Sequence, residues 1–367
     1  MNHYLELLRE QLTPAAAADL LAIAHVTDPP AAIRRLQSIS GDPATQEALA
    51  ACLPVLLPAV ANAANPDTAF VSFERFARSA AQPAELFAFL TANPRQVEML
   101  ITLFAGSQFL TEILLRHPDY FRLFSERREL SQPKTAAQLY AEAQKALAPF
   151  VEPLDQLNAL RRFQRWELLR IGAADFFGLL DLPKVTLQLS RLADAMTRQC
   201  LTMAAWRAGR PADGFIVIAL GKLGGEELNY SSDVDLLFIT RDHPNDYQAL
   251  SQHLIDALVR ATPEGFLYRV DMRLRPWGGV GPLVSSLDGY LGYLRQHARL
   301  WEKQALLKAR VIAGDEALGV AFMQQVQPLI FNATPDEVRA SVASMKQRTE
   351  SNPVSYTHLT LPTSDLV

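Results

Sequence analysis

One stretch limits the possible folds more than any other: "FIVIALGKLGGEELNYSSDVDLLFIT", residues 215–240. Two short apolar runs, 215–220 and 233–240, are rich in β-branched residues and bounded by glycine or polar residues, the pattern of buried strands. Between them lie a glycine turn and a short helical stretch expected over 224–229. "DYQALSQHLIDALVRA" (246–261) then has the apolar spacing of a helix, and "GFLYRVDMRLRP" (265–276) reads as a third strand. Strand, helix, strand, helix, strand describes a sheet covered by helices.

The rest of the chain is different. Residues 1–210 read as helix after helix, with breaks at "LTP", "DPP", "NPD", "AQP", "NPR", "RHP" and "EPL". Val97, Leu100, Ile101 and Phe104 recur at helical spacing, as do Val185, Leu189, Leu192 and Met196, and both sets read as core stripes. After the linker "RAGRPADG" comes the strand-bearing segment 211–284, and from Ser286 "LDGYLGYLRQHARLWEKQALLKARV" reads as helix again. The expected fold is mostly α with an α/β insert: a helical region over 1–210, an α/β core over 211–284 and a helical region over 285–350. No fixed-period repeat is visible.

Asp233 and Asp235 are out of place in a buried strand. Side chains alternate along a strand, so both face one side while Val234, Leu236 and Phe238 face the other. In the third strand Arg269, Asp271, Arg273 and Arg275 share a face opposite Tyr268, Val270, Met272 and Leu274. Pairing the two strands brings three carboxylates onto one polar face, rimmed by three arginines. Two carboxylates about 4 Å apart repel by roughly 4 kcal/mol at an effective dielectric near 20. Protonation of one relieves this. An all-oxygen cluster also suits Mg²⁺, and a pair of such ions about 3.5–4 Å apart supports phosphoryl or nucleotidyl transfer. His243, His253 and His297 form no rival zinc pattern. Gly221, Gly224 and Gly225 in "LGKLGG" would let backbone approach phosphate oxygens. The turn is neither a P-loop nor a G-x-G-x-x-G fingerprint. Taken alone, a D-x-D can equally be a surface strand end.

Charge and composition narrow the class. The 367 residues carry a net charge of −4 with pI about 6.0, 49% hydrophobic residues and mean hydropathy +0.03. No basic field argues for nucleic acid or an anionic membrane surface. "MNHYLELLRE" has no signal-peptide pattern, and no uninterrupted apolar stretch looks long enough to span a bilayer. Cys52 and Cys200 read as buried, reduced thiols of a cytoplasmic protein. "LRRFQRWELLRI" places Arg161, Arg162, Arg165 and Arg170 on one helix, either a solvated face or a surface for phosphate or an acidic partner.

Three blocks, "ALGKLGGEELNYSSDVDLLF", "YRVDMRLRPWGGVGPLV" and "WEKQALLKARVIAGD", closely resemble the glutamine synthetase adenylyltransferases. "RRFQRWELLRIGAADFFGLLDL" is similar to that family's helical lead-in, so the resemblance is tight over 157–315 and looser from about 70 to 330. It implies a DNA polymerase beta-like nucleotidyltransferase domain with a small mixed sheet. Two such domains in that family attach AMP to, and remove it from, a tyrosine of glutamine synthetase. By resemblance, Asp233, Asp235 and Asp271 are the metal-binding and catalytic acids, with Asp271 orienting or deprotonating the attacking group. Gly221 and Lys222 occupy the nucleotide-binding turn, Lys222 standing where the superfamily usually has Ser. Gly224, Gly225 and Ser232 are included in the nucleotide site, Arg273 and Arg275 would clamp phosphates, and Lys308 and Arg310 fall at basic positions of the family. Glu302 is a weaker candidate. Mg²⁺, ATP or ADP, and phosphate are the implied ligands. Glutamine synthetase and a PII-type signalling protein are the implied partners, with neither nucleic acid nor membrane expected.

The motif block begins about 220 residues after Met1, as in the family's N-terminal, adenylyl-removing half. That half uses phosphate to release ADP. Two alternatives stay open: another nucleotidyltransferase such as a uridylyltransferase, and a docking module that kept the fold without catalysis. "VSYTHLTLPTSDLV", residues 354–367, resembles a translated sequencing adapter. If so, the natural sequence continues past about residue 353 into the family's Gly-Gly-x-x-Asp-Ile-Glu-Phe-type motif and second catalytic half.

Overall fold

A computed structural model of the chain describes residues 3–126 and 132–351. The expected tail over 354–367 lies outside the described residues. The described residues form two compact units, 3–126 with Gly172–Leu179, and Gln132–Ile171 with 180–351. The division therefore does not fall at residue 210, where the element type changes, because the preceding helices belong with the sheet.

The first unit is all helical. The prolines that punctuate its sequence start helices: Pro14–Leu21, Pro29–Ile39, Pro43–Ala61, Pro66–Ser79, Pro83–Ala92 and Pro94–Gly106. Proline lacks an N–H that the first helical position does not need, and in the first four of these helices the side chain of the residue before it supplies the cap. Asp28 accepts from Ala31 N at 2.9 Å and Asn65 from Thr68 N at 3.0 Å. Phe76 packs edge-on against Phe104 and Phe121, with ring centroids 5.5 and 6.0 Å away. One expectation needs correction. Helix Pro43–Ala61 is long and apolar enough to cross a membrane, although half of it is buried within the protein. Two prolines inside it, Pro54 and Pro58, broke up the apolar run when read as sequence.

The second unit carries a mixed five-stranded sheet: β1 (Phe215–Leu220), β2 (Val234–Thr240), β3 (Val270–Asp271), β4 (Val284–Ser286) and β5 (Arg310–Gly314). The order is β3-β2-β1-β5, and β4 shares with β3 the outer edge of β2. β1 is antiparallel to β2 and β5, whereas β3 and β4 run parallel to β2. Ile216, Ile218 and Leu220 of β1 and Leu237 and Ile239 of β2 form one apolar cluster with helices Leu287–Gln296 and Glu316–Ile330. On the other face Phe215 packs against Phe238 and Tyr247, at 5.5 and 5.6 Å. The long helix Leu182–Ala208, called α1, lies against helix Gln248–Val259 and against β5.

The local expectations shift in four places. The helical turn spans Gly221–Gly224 rather than 224–229, and β2 begins one residue late, leaving Asp233 just outside it. The third strand keeps two residues of the twelve expected, since 273–277 form turns around Pro276. The helical stretch from Ser286 is broken, and "RVIAG" within it is β5. A short apolar run cannot be told from a buried helix turn by periodicity.

The arginines of "LRRFQRWELLRI" are neither a solvated face nor an open anion surface. Arg161 is fully buried and donates to the carbonyl of Arg260 at 2.6 Å. Arg162 pairs with Glu264 at 3.2 Å, and Arg165 donates to the Glu264 carbonyl. Arg170 and Lys134 flank the fully buried Glu167 at 2.8 and 2.6 Å.

Candidate functional site

The site is assembled where β1 ends and β2 begins. Antiparallel pairing sets Leu220 opposite Asp235, and parallel pairing sets Asp235 opposite Asp271. Register partners point to the same face of a sheet, so these two carboxylates share a face by construction. It is also the face of Leu237 and Ile239, so Asp235 sits where the apolar cluster gives out. Burial raises the pKa of Asp235, and repulsion from Asp271 and Asp233 raises it further, against the pull of Arg273 and Lys222. Asp271 moves the other way. Hydrogen bonds from Arg273 hold its carboxyl below the usual value.

Two arginines neutralise the outer acids. Arg273 is 81% exposed and grips Asp271 through Nε at 2.8 Å and Nη2 at 2.5 Å. Arg269, 61% exposed, donates to Asp233 at 2.5 Å and to the Ser231 carbonyl at 2.6 Å. The donor set suits a hard cation: three carboxylates, two of which raise the pKa of the third, Asp235, and no sulfur or imidazole among them. Among the described residues, no three His, Cys, Asp or Glu side chains are gathered closely enough to hold a metal ion.

The glycine turn is built for close packing. Gly221 has φ +54°, and a β-carbon there would collide with the Asp235 carboxylate. A β-carbon on Gly224 would collide with the Lys308 carbonyl, and one on Gly225 would lie 2.9 Å from the Lys308 side chain. Gly221 is thus required by an acid of the site, and Gly224 by the chain entering β5. Lys222 is exposed at the turn. Ser232 donates to Asn229 at 2.5 Å within the loop before Asp233.

The remaining basic candidates are engaged elsewhere. Arg275 donates to the carbonyls of Met272, Gly279 and Gly281, which fastens its own loop. It belongs to a turn, so the strand alternation that grouped it with Asp271 does not reach it. Lys308 pairs with Glu227 at 2.6 Å, both half exposed. Arg310 lies on β5 rather than a helix, and forks onto Asp194 at 2.5 and 3.1 Å. Glu302 caps helix Leu300–Ala305 through the Arg299 N–H and accepts from the Tyr293 hydroxyl.

Sequence reading missed a polar stripe on α1. Ser190, Asp194 and Arg198 are spaced by four, so they share one helix face. Ser190 accepts from Leu228 N at 3.1 Å, Asp194 binds Arg310, and Arg198 donates to the Ile312 carbonyl at 2.6 Å. The signal was available as polar residues at helical spacing between Leu189, Leu192 and Met196. A cavity of about 1100 Å³ lies along β5, lined by Arg198, Asp315 and Met323 among others; it includes none of the three acids.

A glycine turn joining antiparallel strands, with acids paired across the adjoining parallel ladder, is the arrangement of a nucleotidyltransferase domain. The family model for glutamate-ammonia ligase adenylyltransferase matches residues 97–325. Bifunctional glutamine synthetase adenylyltransferase/adenylyl-removing enzymes align along most of the chain. That of Pseudomonas aeruginosa is 33% identical over 95% of this chain and 39% of its own length. That of Streptomyces avermitilis is 35% identical over 89% and 33%, and that of Chromobacterium violaceum 32% identical over 89% and 38%. The chain belongs to the glutamate-ammonia ligase adenylyltransferase family, and it spans 33–39% of the length of these curated relatives.

Proposed function

We propose that this chain transfers an adenylyl group to or from a tyrosine of glutamine synthetase, and that the removing direction is its own. The observation that carries the reading is the register pairing of Asp235 with Asp271 beside the glycine turn. Family membership supplies the substrate. The resemblance of "LNYSSDVD" and "RVDMRLRP" to the removing half supplies the direction.

In removal, an oxygen of inorganic phosphate attacks the adenylyl phosphorus. A new phosphoanhydride bond forms, the bond to the tyrosine oxygen breaks, ADP departs and the tyrosine oxygen takes up a proton. Asp233, Asp235 and Asp271 would hold Mg²⁺, which when bound would screen the negative charge gathered on the phosphoryl oxygens. Arg269 and Arg273, paired here with Asp233 and Asp271, would have to turn away for those acids to hold the ion. Both are exposed, so the turn outward costs little burial. Arg273 is then free to fork onto phosphate oxygens, with Lys222 as a second cation from the turn. Asp271, 14% exposed and the register partner of Asp235, suits the orienting of the attacking oxygen. Free, buried Cys52 and Cys200 accord with a reducing, cytoplasmic setting.

The test supplies adenylylated glutamine synthetase, Mg²⁺ and phosphate, and measures ADP. Release that vanishes in Asp233→Asn supports the reading. Adenylylation from ATP without ADP release reverses the direction. Neither activity leaves a docking module.

A further inference from the structure

Arg310 is a basic residue at the edge of the site, yet its donors are committed to the protein. Its Nη1 and Nη2 fork onto Asp194, Nη2 also reaches the Leu223 carbonyl at 2.8 Å, and Nε reaches the Gly224 carbonyl at 3.4 Å. Those carbonyls end the helical turn Gly221–Gly224, where partial negative charge collects and a cation is favoured. Asp194 is 5% exposed, and burial raises its pKa against the pull of Arg310. A buried carboxylate with a single fork partner is a poor surface ornament and a good fixed point.

The contacts continue to the site. The turn that Arg310 grips begins at Gly221, against which the Asp235 carboxylate packs. One helical turn away on α1, Ser190 holds Leu228 N at the far end of the same loop. The glycine turn is therefore tied to α1 at both ends, and Asp235 is held between that turn and β3.

We propose that Asp194 is a positioning residue for nucleotidyl transfer. Acting through Arg310, it fixes the glycine turn so that Asp235 and the nucleotide-binding backbone keep one geometry. Arg310 is on this view a strut and not a phosphate ligand. The inference rests on the nucleotidyl-transfer reading for its kinetics but not for its geometry.

The experiment compares the full chain with Asp194→Asn, which keeps an acceptor and drops the charge, and Arg310→Lys, which keeps the charge and loses the fork. Hydrogen exchange is followed at the amides of residues 221–228 and, as a control, in β1. Exchange in 221–228 is expected to quicken about tenfold or more in both variants, with β1 unchanged. Unaltered protection of 221–228 overturns the proposal, whether or not the protein turns over substrate. In the ADP-release assay, kcat per folded molecule is expected to fall about 10²-fold in Asp194→Asn, as a misplacement near 1 Å does, with KM for phosphate held. Arg310→Lys is expected to retain more activity than Asp194→Asn. A raised KM for phosphate with kcat kept makes Arg310 a phosphate ligand and overturns the strut. A lower melting temperature with kcat unchanged makes the pair purely structural and also overturns it. A wild-type chain without turnover removes the nucleotidyl-transfer reading, and the exchange data still decide the geometry.

Discussion

Asp235 and Asp271 are direct partners across the parallel β2–β3 ladder, and their pKa values move in opposite directions. The cause is local: Arg273 serves Asp271, while Asp235 bears the burial and the repulsion. A folded pKa raised above the unfolded value means that ionised Asp235 costs stability at neutral pH. That cost is absent below the unfolded value near 3.8 and grows as pH rises through the folded pKa. Asp235→Asn is therefore expected to raise the melting temperature at pH 7, with the gain shrinking below pH 4, and to abolish ADP release. Asp271→Asn is expected to abolish release and to lower the melting temperature. Scanning calorimetry of both variants at the two pH values checks the contrast.

The glycines divide by what surrounds them. Gly221→Ala forces a side chain into the left-handed region, about 1–2 kcal/mol, and into the Asp235 carboxylate. Gly224→Ala meets the Lys308 and Ala219 carbonyls, backbone that cannot rotate away, and is expected to destabilise more. Gly279→Ala meets open space and is expected to stay within about 0.5 kcal/mol of wild type. Urea midpoints of the three variants give the order.

Arg273 and Arg275, two residues apart, are expected to separate cleanly. Arg273→Ala removes the exposed partner that holds the Asp271 pKa down, so melting at pH 7 is expected to fall slightly while KM for phosphate rises several-fold. Arg275→Ala removes three bonds to loop carbonyls and is expected to cost about 1–3 kcal/mol. KM for phosphate and thermal melts, measured on both, distinguish the two roles.

The contrast between these arginines shows where the sequence was legible. Alternation in β2 and the length of β1 were readable, because a strand of period two with apolar neighbours leaves few options. The pairing of Asp235 with Asp271 followed from it. Alternation failed at Arg275, since the strand stops at Asp271 and the side chains of the turn that follows keep no period. β5 was hidden because "RVIAG" is short and adjoins helix. Asp194 was hidden for another reason: its partner Arg310 is distant in sequence, and only the fold joins them. The arginines of 161–170 misled because a charged helix face usually meets water, whereas Arg161 and Arg170 are buried in the second unit.

Glu167 gives the sharpest stability test of that interior. It is fully buried between Lys134, 17% exposed, and Arg170, 4% exposed. Removing the acid leaves buried Arg170 without a counter-ion, while Lys134 keeps Glu142 at 2.5 Å, and breaking such a buried pair costs about 3–5 kcal/mol. Glu167→Ala is expected to show a loss in that range by urea denaturation. Exposed pairs such as Arg75–Glu112, half exposed on both sides, are expected to yield less than about 1 kcal/mol.

Asp315 provides a test of acid sensitivity away from the three acids. Its carboxylate accepts from Leu318 N at 3.0 Å and Gly214 N at 2.9 Å, and pairs with Arg241 at 2.8 Å. The hydrogen bond from Leu318 is the largest cause that holds its pKa below the ordinary value. A depressed folded pKa means that the unfolded chain binds the proton first. The stabilisation is complete above the unfolded value of about 3.8 and is lost as pH falls through the lower folded value. Melting temperature measured from pH 6 to pH 2 is expected to fall less steeply in Asp315→Asn, which caps helix Glu316–Ile330 without a titrating charge, than in wild type. At pH 6 the variant is expected to melt lower, having lost the pair with Arg241. Parallel acid profiles would remove Asp315 as the clasp that ties Gly214, at the entry to β1, to the helix that follows β5.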